Sequence, residues 1–248
     1  MSLSKDFAKP TKMKRSENFK FQVDFEVDCR VSGVIPVTYN IERYSIDSNS
    51  GSYQGKVFRI GTTVGDLNET IIGKSFDYGL YYIKLTGSIE GKDETRVNSF
   101  GYVEVTSTAL VANITGATQA SQGINKIVTL NGSQSHDPDV GKGDYSGIIF
   151  TWLCRRDYEL FPNDTASLPV VRPSSGSTKV SPDQGGCYGT GVGKLESRPV
   201  APYIVDLEID KMKGDQGYII VLVMTKRGLT ITAAHHLRLK EEIHLQIL

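Results

Sequence analysis

Four stretches of this chain carry residue types whose spacing could do chemistry. The first is Gly185-Gly186-Cys187-Tyr188-Gly189-Thr190-Gly191-Val192-Gly193-Lys194, which invites a phosphate-loop reading. A Walker loop needs a glycine where Tyr188 stands and a serine or threonine where Leu195 stands. It also needs a helix N-terminus behind it, and no helix signal follows. The glycine spacing misses the dinucleotide pattern as well. The second is the carboxylate pair Asp137 and Asp139 in a polar turn, with Asp144 and Asn131 as further oxygens. Calcium takes about six to eight oxygen ligands, so two carboxylates make a weak candidate site. Asp-Pro-Asp is also turn chemistry in its own right, since Asp caps local amides and Pro fixes φ. The third is His235-His236, adjacent in a predicted strand and therefore on opposite faces, so they cannot chelate one metal. Each reads as a strand-surface residue. The fourth is the cysteines, Cys29, Cys154 and Cys187. No Gly-x-Ser-x-Gly elbow occurs, and Cys29 has no histidine near it in sequence. These patterns predict no enzyme, no cofactor and no firm metal centre.

The elements that must hold these residues are strands. Leu130-Asn131-Gly132-Ser133-Gln134-Ser135-His136-Asp137-Pro138-Asp139 is a polar corner, and it leads to the apolar run Ile148 to Cys154 around the single Trp152. A strand, a turn and a strand with a lone Trp followed two residues later by Cys read as one corner of a β-sandwich, with Trp152 as core anchor. Upstream, Phe19, Phe21, Val23, Phe25, Val27 and Cys29 alternate with polar residues, the period of a half-buried strand, which makes Cys29 a small buried hydrophobe. Val37, Tyr39 and Ile41 repeat the alternation. Weaker strands fall at 57–60 and 69–72, and longer ones at 79–89 and 99–106. Strands recurring about every ten residues predict a sandwich of roughly seven strands.

The second half repeats the layout. Residues 110–114 open it, 127–130 lead into the Asp corner, and 203–209 follow an irregular stretch at 155–202. Residues 218–224 and 229–239 form a hairpin through Lys226-Arg227-Gly228. The expected organisation is a disordered tail at 1–15 and a β-sandwich at 16–106. A second sandwich follows at 107–240 with an insertion at 155–202, and a C-terminal tail at 241–248. The fold class is all-β, two tandem immunoglobulin-like or fibronectin-III-like sandwiches.

Composition narrows the function. Twenty-eight Lys plus Arg balance twenty-eight Asp plus Glu, a net charge of zero that favours neither nucleic acid nor an anionic membrane. The longest apolar runs are strand-length, far short of a membrane span. The N-terminus has no apolar stretch of signal-peptide length, so the chain is either cytosolic or cut from a longer precursor. Four Asn-x-Ser/Thr sequons, at Asn68, Asn113, Asn131 and Asn163, favour the precursor and an extracellular site. Cys154 and Cys187 bracket the loop-like stretch. In an oxidising compartment they pair; in a reducing one all three cysteines are free thiols, and spacing alone leaves both open. Tyr78, Tyr81 and Tyr82 offer either a sugar platform or, on alternate faces, core and cross-strand partners. Tyr78 is expected to make a tyrosine-corner hydrogen bond and to anchor the first core.

The corner at 130–139 resembles the opening of a polycystic kidney disease repeat. It is followed, however, by Phe150-Thr151-Trp152-Leu153-Cys154-Arg155-Arg156 and the downstream Gly185-Gly186-Cys187-Tyr188-Gly189. That variant is similar to the receptor-for-egg-jelly (REJ) module of polycystin-1-like proteins. Phe76-Asp77-Tyr78-Gly79-Leu80-Tyr81 and Gly101-Tyr102-Val103-Glu104-Val105 resemble the same module, and the match covers roughly 19–240. The resemblance implies a non-catalytic region of tandem sandwiches on the extracellular side of the plasma or ciliary membrane, within a larger receptor. It implies a Cys154–Cys187 bridge. The implied partners are adjoining domains of that receptor and an extracellular protein or glycan ligand, with no nucleic acid and no membrane insertion by this chain. Polycystin-like proteins continue into a self-cleaving segment that cuts between His-Leu and a hydroxyl residue. His244-Leu245-Gln246 lacks that hydroxyl, so self-cleavage is not expected, and the chain reads as a fragment. The alternative expectation is a soluble carbohydrate-binding or adhesion module.

Overall fold

The computed structural model describes residues 3–240 apart from 24–34, 48–49, 51, 65–66, 90–91, 124–125, 163–166 and 173–184. Cys29, Asn163 and the 241–248 tail therefore lie outside the described residues. Apart from short 3-10 turns, every regular element among them is a strand. The chain separates into two compact units, Met1–Thr108 and Ala109–Leu248.

The first unit contains β1 (Thr11–Lys14), β2 (Phe19–Val23), β3 (Pro36–Ile46), β4 (Tyr53–Val64), β5 (Leu67–Ile71), β6 (Gly79–Ile89) and β7 (Lys92–Thr106). A five-stranded sheet runs in the order β1-β7-β6-β3-β4, and β2 pairs with β5 in a second, two-stranded sheet. Strand β6 shows why the pattern folds this way. Its burial alternates strictly, so Tyr81, Ile83 and Leu85 point inward while Tyr82, Lys84 and Thr86 point out. The inward set joins Tyr39, Ile41, Val103 and Val105, and packs on Phe19, Leu67, Ile71 and Phe76.

Within the stretch read as a disordered tail, residues 11–14 instead form β1, parallel to β7 from Thr11↔Val103 to Lys14↔Thr106. Met13 supplies the single buried apolar side chain. One apolar residue among lysines carries too little periodicity to read as a strand, and the pairing edge of β7 supplies what the pattern lacks.

The second unit contains β8 (Gln119–Ser121), β9 (Ile127–Asn131), β10 (Ile149–Arg156), β11 (Val170–Val171), β12 (Gly193–Leu195), β13 (Ser197–Arg198), β14 (Ala201–Glu208), β15 (Gly217–Lys226) and β16 (Leu229–Lys240). Its sheets run β11-β12-β10-β15-β16-β8 and β13-β14-β9. Strand β8 lies parallel to β16. Residues 110–114, expected as a strand, contribute only the isolated bridge Val111↔His136, with Thr115↔Asn131 just beyond. The insertion at 155–202 is less irregular than its composition suggests. It supplies β11, β12 and β13, and β12 extends the main sheet beside the Trp strand.

The core lies between the two sheets. Trp152, Tyr218, Ile220, Leu222, Met224 and Leu237 face Val128, Leu130, Val205 and Leu207. Burial along β15 alternates without a break, and the same parity carries Lys226 inward at its last position. The β15–β16 hairpin closes through Arg227 and Gly228, at φ 50 and 76. Two successive positive φ values match the twist of a two-residue hairpin, and only the glycine adopts them freely.

Candidate functional site

Strand β10 positions the residues that the sequence singled out in the second unit. Trp152 is 1% exposed, and its indole N–H donates to the Pro202 carbonyl at 3.0 Å. That bond satisfies the one polar atom of a buried ring. Two residues on, at the same inward parity, Cys154 forms a disulfide with Cys187 across a Cα separation of 5.5 Å. Cys187 sits in the 3-10 turn Gly186–Tyr188, all three residues of which are buried. The turn requires glycine at 186. Its φ is +53, and an added Cβ would lie 2.9 Å from the Cys154 carbonyl oxygen. The glycine-rich run that suggested phosphate chemistry is thus the tether of the insertion.

The Asp corner is built as a clasp. Asp137 is fully buried, and its carboxylate accepts from the Asp139 amide at 2.9 Å. Lys226 reaches the same carboxylate at 3.0 Å, and Arg227 forms a further ion pair with it. Two side-chain cations therefore stand where a metal would need open oxygens. Burial pushes the Asp137 carboxyl up, but the Asp139 amide and the Lys226 and Arg227 charges outweigh it and hold it below the ordinary range. Among the described residues, no group of three or more His, Cys, Asp or Glu is placed to hold a metal ion.

The remaining expected residues fall in different places. Asn68 and Asn113 are exposed, whereas Asn131 is partly buried with its Oδ1 accepting from the Ser133 amide at 2.8 Å. Tyr78 does not anchor the core. It is 37% exposed and lies against the Arg15 guanidinium. The corner hydrogen bond belongs to Tyr81, whose hydroxyl donates to the Asp77 carbonyl at 3.0 Å while Phe76 packs edge-on against its ring. Gly79 takes φ 137 at the head of β6, and the first inward tyrosine falls at 81. His235, expected on the strand surface, is 8% exposed and bonds through Nε2 to the Ala117 carbonyl at 3.0 Å. The short polar segment beside β16 covers it. His236 faces outward, and the two rings do not converge.

One feature was not singled out from the sequence, and a second was singled out only through Tyr82. The first is a groove of about 370 Å³ in the second unit, floored by Tyr188 and walled by two bidentate ion pairs. Arg172 binds Glu196 at 2.7 and 2.9 Å, and Arg198 binds Asp206 at the same distances. Burial pushes the Tyr188 hydroxyl up to about 12. The two pairs cancel, and Glu208 adds one further carboxylate to the lining. The other is the outer face of the five-stranded sheet. Tyr44, Tyr82 and Tyr102 are registered across β3, β6 and β7. Their rings stand 5.7 and 5.6 Å apart in sequence across the strands, and Phe100 lies 5.5 Å from Tyr82. Strand parity alone assigns Tyr82 to the face opposite Tyr81. What the sequence lacked was the pairing register that lines Tyr82 up with Tyr44 and Tyr102.

A family model described as the REJ domain matches residues 22–246. Solved structures similar to the chain include the chicken CNTN1 FN1-FN3 domains, at 10% identity over 92% of this chain and 68% of that one, with a TM-score of 0.27. Another is Dpr2 Ig1-Ig2 in complex with DIP-Theta Ig1-Ig3, at 11% identity over 93% and 94% of the two chains, with a TM-score of 0.24.

Proposed function

Because the chain belongs to the REJ domain family, whose model spans nearly all of it, we propose that it serves as a non-catalytic extracellular segment of a polycystin-like membrane receptor, working in ligand interaction, adhesion or mechanical spacing. REJ domains are extracellular polycystin-type modules of a non-catalytic kind. The observation that carries the reading, beside the family, is the buried Cys154–Cys187 bond. Disulfides persist in oxidising compartments, and this one ties the insertion to β10. No helix among the described residues is long and apolar enough to cross a membrane, so the membrane attachment is assigned to adjoining domains of the receptor. The exposed sequons Asn68 and Asn113 are the glycan sites of this reading, with the plasma or ciliary surface as its location.

A second reading, a carbohydrate-binding or adhesion module, has the outer aromatic row of the first unit in its favour. The test of the first reading is intact mass of the chain secreted from animal cells, with and without reductant and glycosidase. One blocked thiol pair and a mass loss on deglycosylation are expected. Three reactive thiols in denatured secreted protein would overturn it.

A further inference from the structure

The outer face of the five-stranded sheet in the first unit combines ring faces with hydrogen-bonding side chains in adjacent rows. One row holds Tyr44, Tyr82 and Tyr102. The next holds Glu42, Lys84 and Phe100, and the one beyond it Asn40, Thr86 and Asn98. Aliphatic side chains flank these nine positions, with Ile60 beside Asn40 on β4 and Ile46 and Leu80 in the row beyond the tyrosines. Phe100 is 40% exposed, and the three tyrosines are partly exposed. The polar partners are already ordered, since the Thr86 hydroxyl donates to Asn98 Oδ1 at 2.9 Å. The one opposed pair of charges within the rows, Lys84 and Glu42, meets at 3.5 Å and cancels. Gly55 on β4 leaves room for the Tyr44 ring, since an added Cβ there would come within 2.4 Å of it. At the other side the N-terminal segment forms a rim, with Phe7 edge-on to Tyr102 at 5.4 Å and Lys5 over the Phe100 ring at 4.6 Å.

This combination selects its ligand by chemistry. Flat aromatic faces attract the C–H faces of pyranose rings, and they present large rigid area at low entropic loss. Amide and hydroxyl groups beside them suit vicinal hydroxyls, in the way that ligand sites place a few fixed polar groups in apolar surroundings. Within the rows the lysine and glutamate are paired, and the rim cation Lys5 is held on the Phe100 ring and by the Ser99 hydroxyl, so the platform itself presents no net charge. We propose that this face binds a neutral saccharide, with Tyr44 and Tyr82 as the stacking platform and Thr86 and Asn98 as hydroxyl partners. The proposal rests on the reading of the chain as an extracellular interaction module, and it names the surface and ligand class of that module.

The experiment uses the full chain and a panel of neutral hexose and N-acetylhexosamine oligosaccharides, with sulfated and sialylated oligosaccharides as the anionic arm. Binding is read by calorimetry, and the site by hydroxyl-radical footprinting of the wild-type chain. Binding of a neutral member is expected, with protection of Tyr44 and Tyr82. Tyr82→Ala should weaken it at least about tenfold, whereas Tyr82→Phe, which keeps the ring, should hold it within about threefold. The footprint makes the test independent of whether the alanine variant folds. No neutral binding at about 10 mM ligand overturns the proposal. So does binding confined to the anionic arm, protection that falls elsewhere, or self-association that covers the same tyrosines. Each of these leaves the extracellular reading standing, because that reading fails on its own measurement, three reactive thiols in the secreted protein.

Discussion

At the residue scale, the side chains that matter most act through partners that are distant in sequence. Asp137 holds Lys226 and Arg227 from ninety residues away, tying the polar corner to the β15–β16 hairpin. Its folded carboxyl lies below the ordinary carboxylate range, because the Asp139 amide and the two cations outweigh the upward push of burial. A group depressed in this way stabilises the fold above its unfolded value and loses that contribution as pH falls through its folded value. Urea unfolding of the wild type should therefore show stability falling below about pH 4, with that component missing in Asp137→Asn. The variant should itself be less stable by about 3–5 kcal/mol at neutral pH, since it leaves a buried lysine without its counter-charge. The tyrosines give a second residue-scale prediction. Tyr81→Phe removes the bond to the Asp77 carbonyl and should cost about 1 kcal/mol, read by thermal melts against the wild type. The type of corner is legible in Phe76-Asp77-Tyr78-Gly79-Leu80-Tyr81, but its bearer is not. Tyr81 bears it because it shares the inward parity of Ile83 and Leu85, and which parity faces inward shows only once the strand is placed.

At the element scale, legibility follows periodicity. Strands β3, β6 and β15 alternate long enough to be read directly, whereas β10 is read as a continuous apolar run, with Trp152, Leu153 and Cys154 all buried. The short strands β1, β11, β12 and β13 have two to four residues each and no period of their own. They exist because a neighbouring edge pairs with them, so only the assembled sheet reveals them. Cys187 is held in the same way. The turn that presents it to β10 depends on Gly186, where left-handed backbone and the nearby Cys154 carbonyl both exclude a side chain. Gly186→Ala should lower stability by more than about 1–2 kcal/mol, the cost of the conformation alone. Gly191→Ala, at φ +72 with open space around it, should show only that backbone cost. Thermal melts of the two variants side by side separate strain from contact.

At the scale of the whole molecule, the chain is two units, each with its own pair of sheets and its own core. The disulfide lies wholly in the second and spans a sequence separation of 33. Pulled from its ends, the oxidised protein keeps that span closed after both units have opened. Reduction should add up to about 110–120 Å of contour length at about 3.3–3.6 Å per residue, seen in single-molecule extension with and without reductant. Unfolded lengths that do not change on reduction would mean the bond is absent in the native protein. In each unit the opening strand lies beside the closing one and runs the same way, β1 along β7 and β8 along β16. A tug transmitted along the polypeptide therefore slides these neighbours past each other. Every rung of the shared ladder is loaded at the same moment, where an antiparallel arrangement would let them unzip singly.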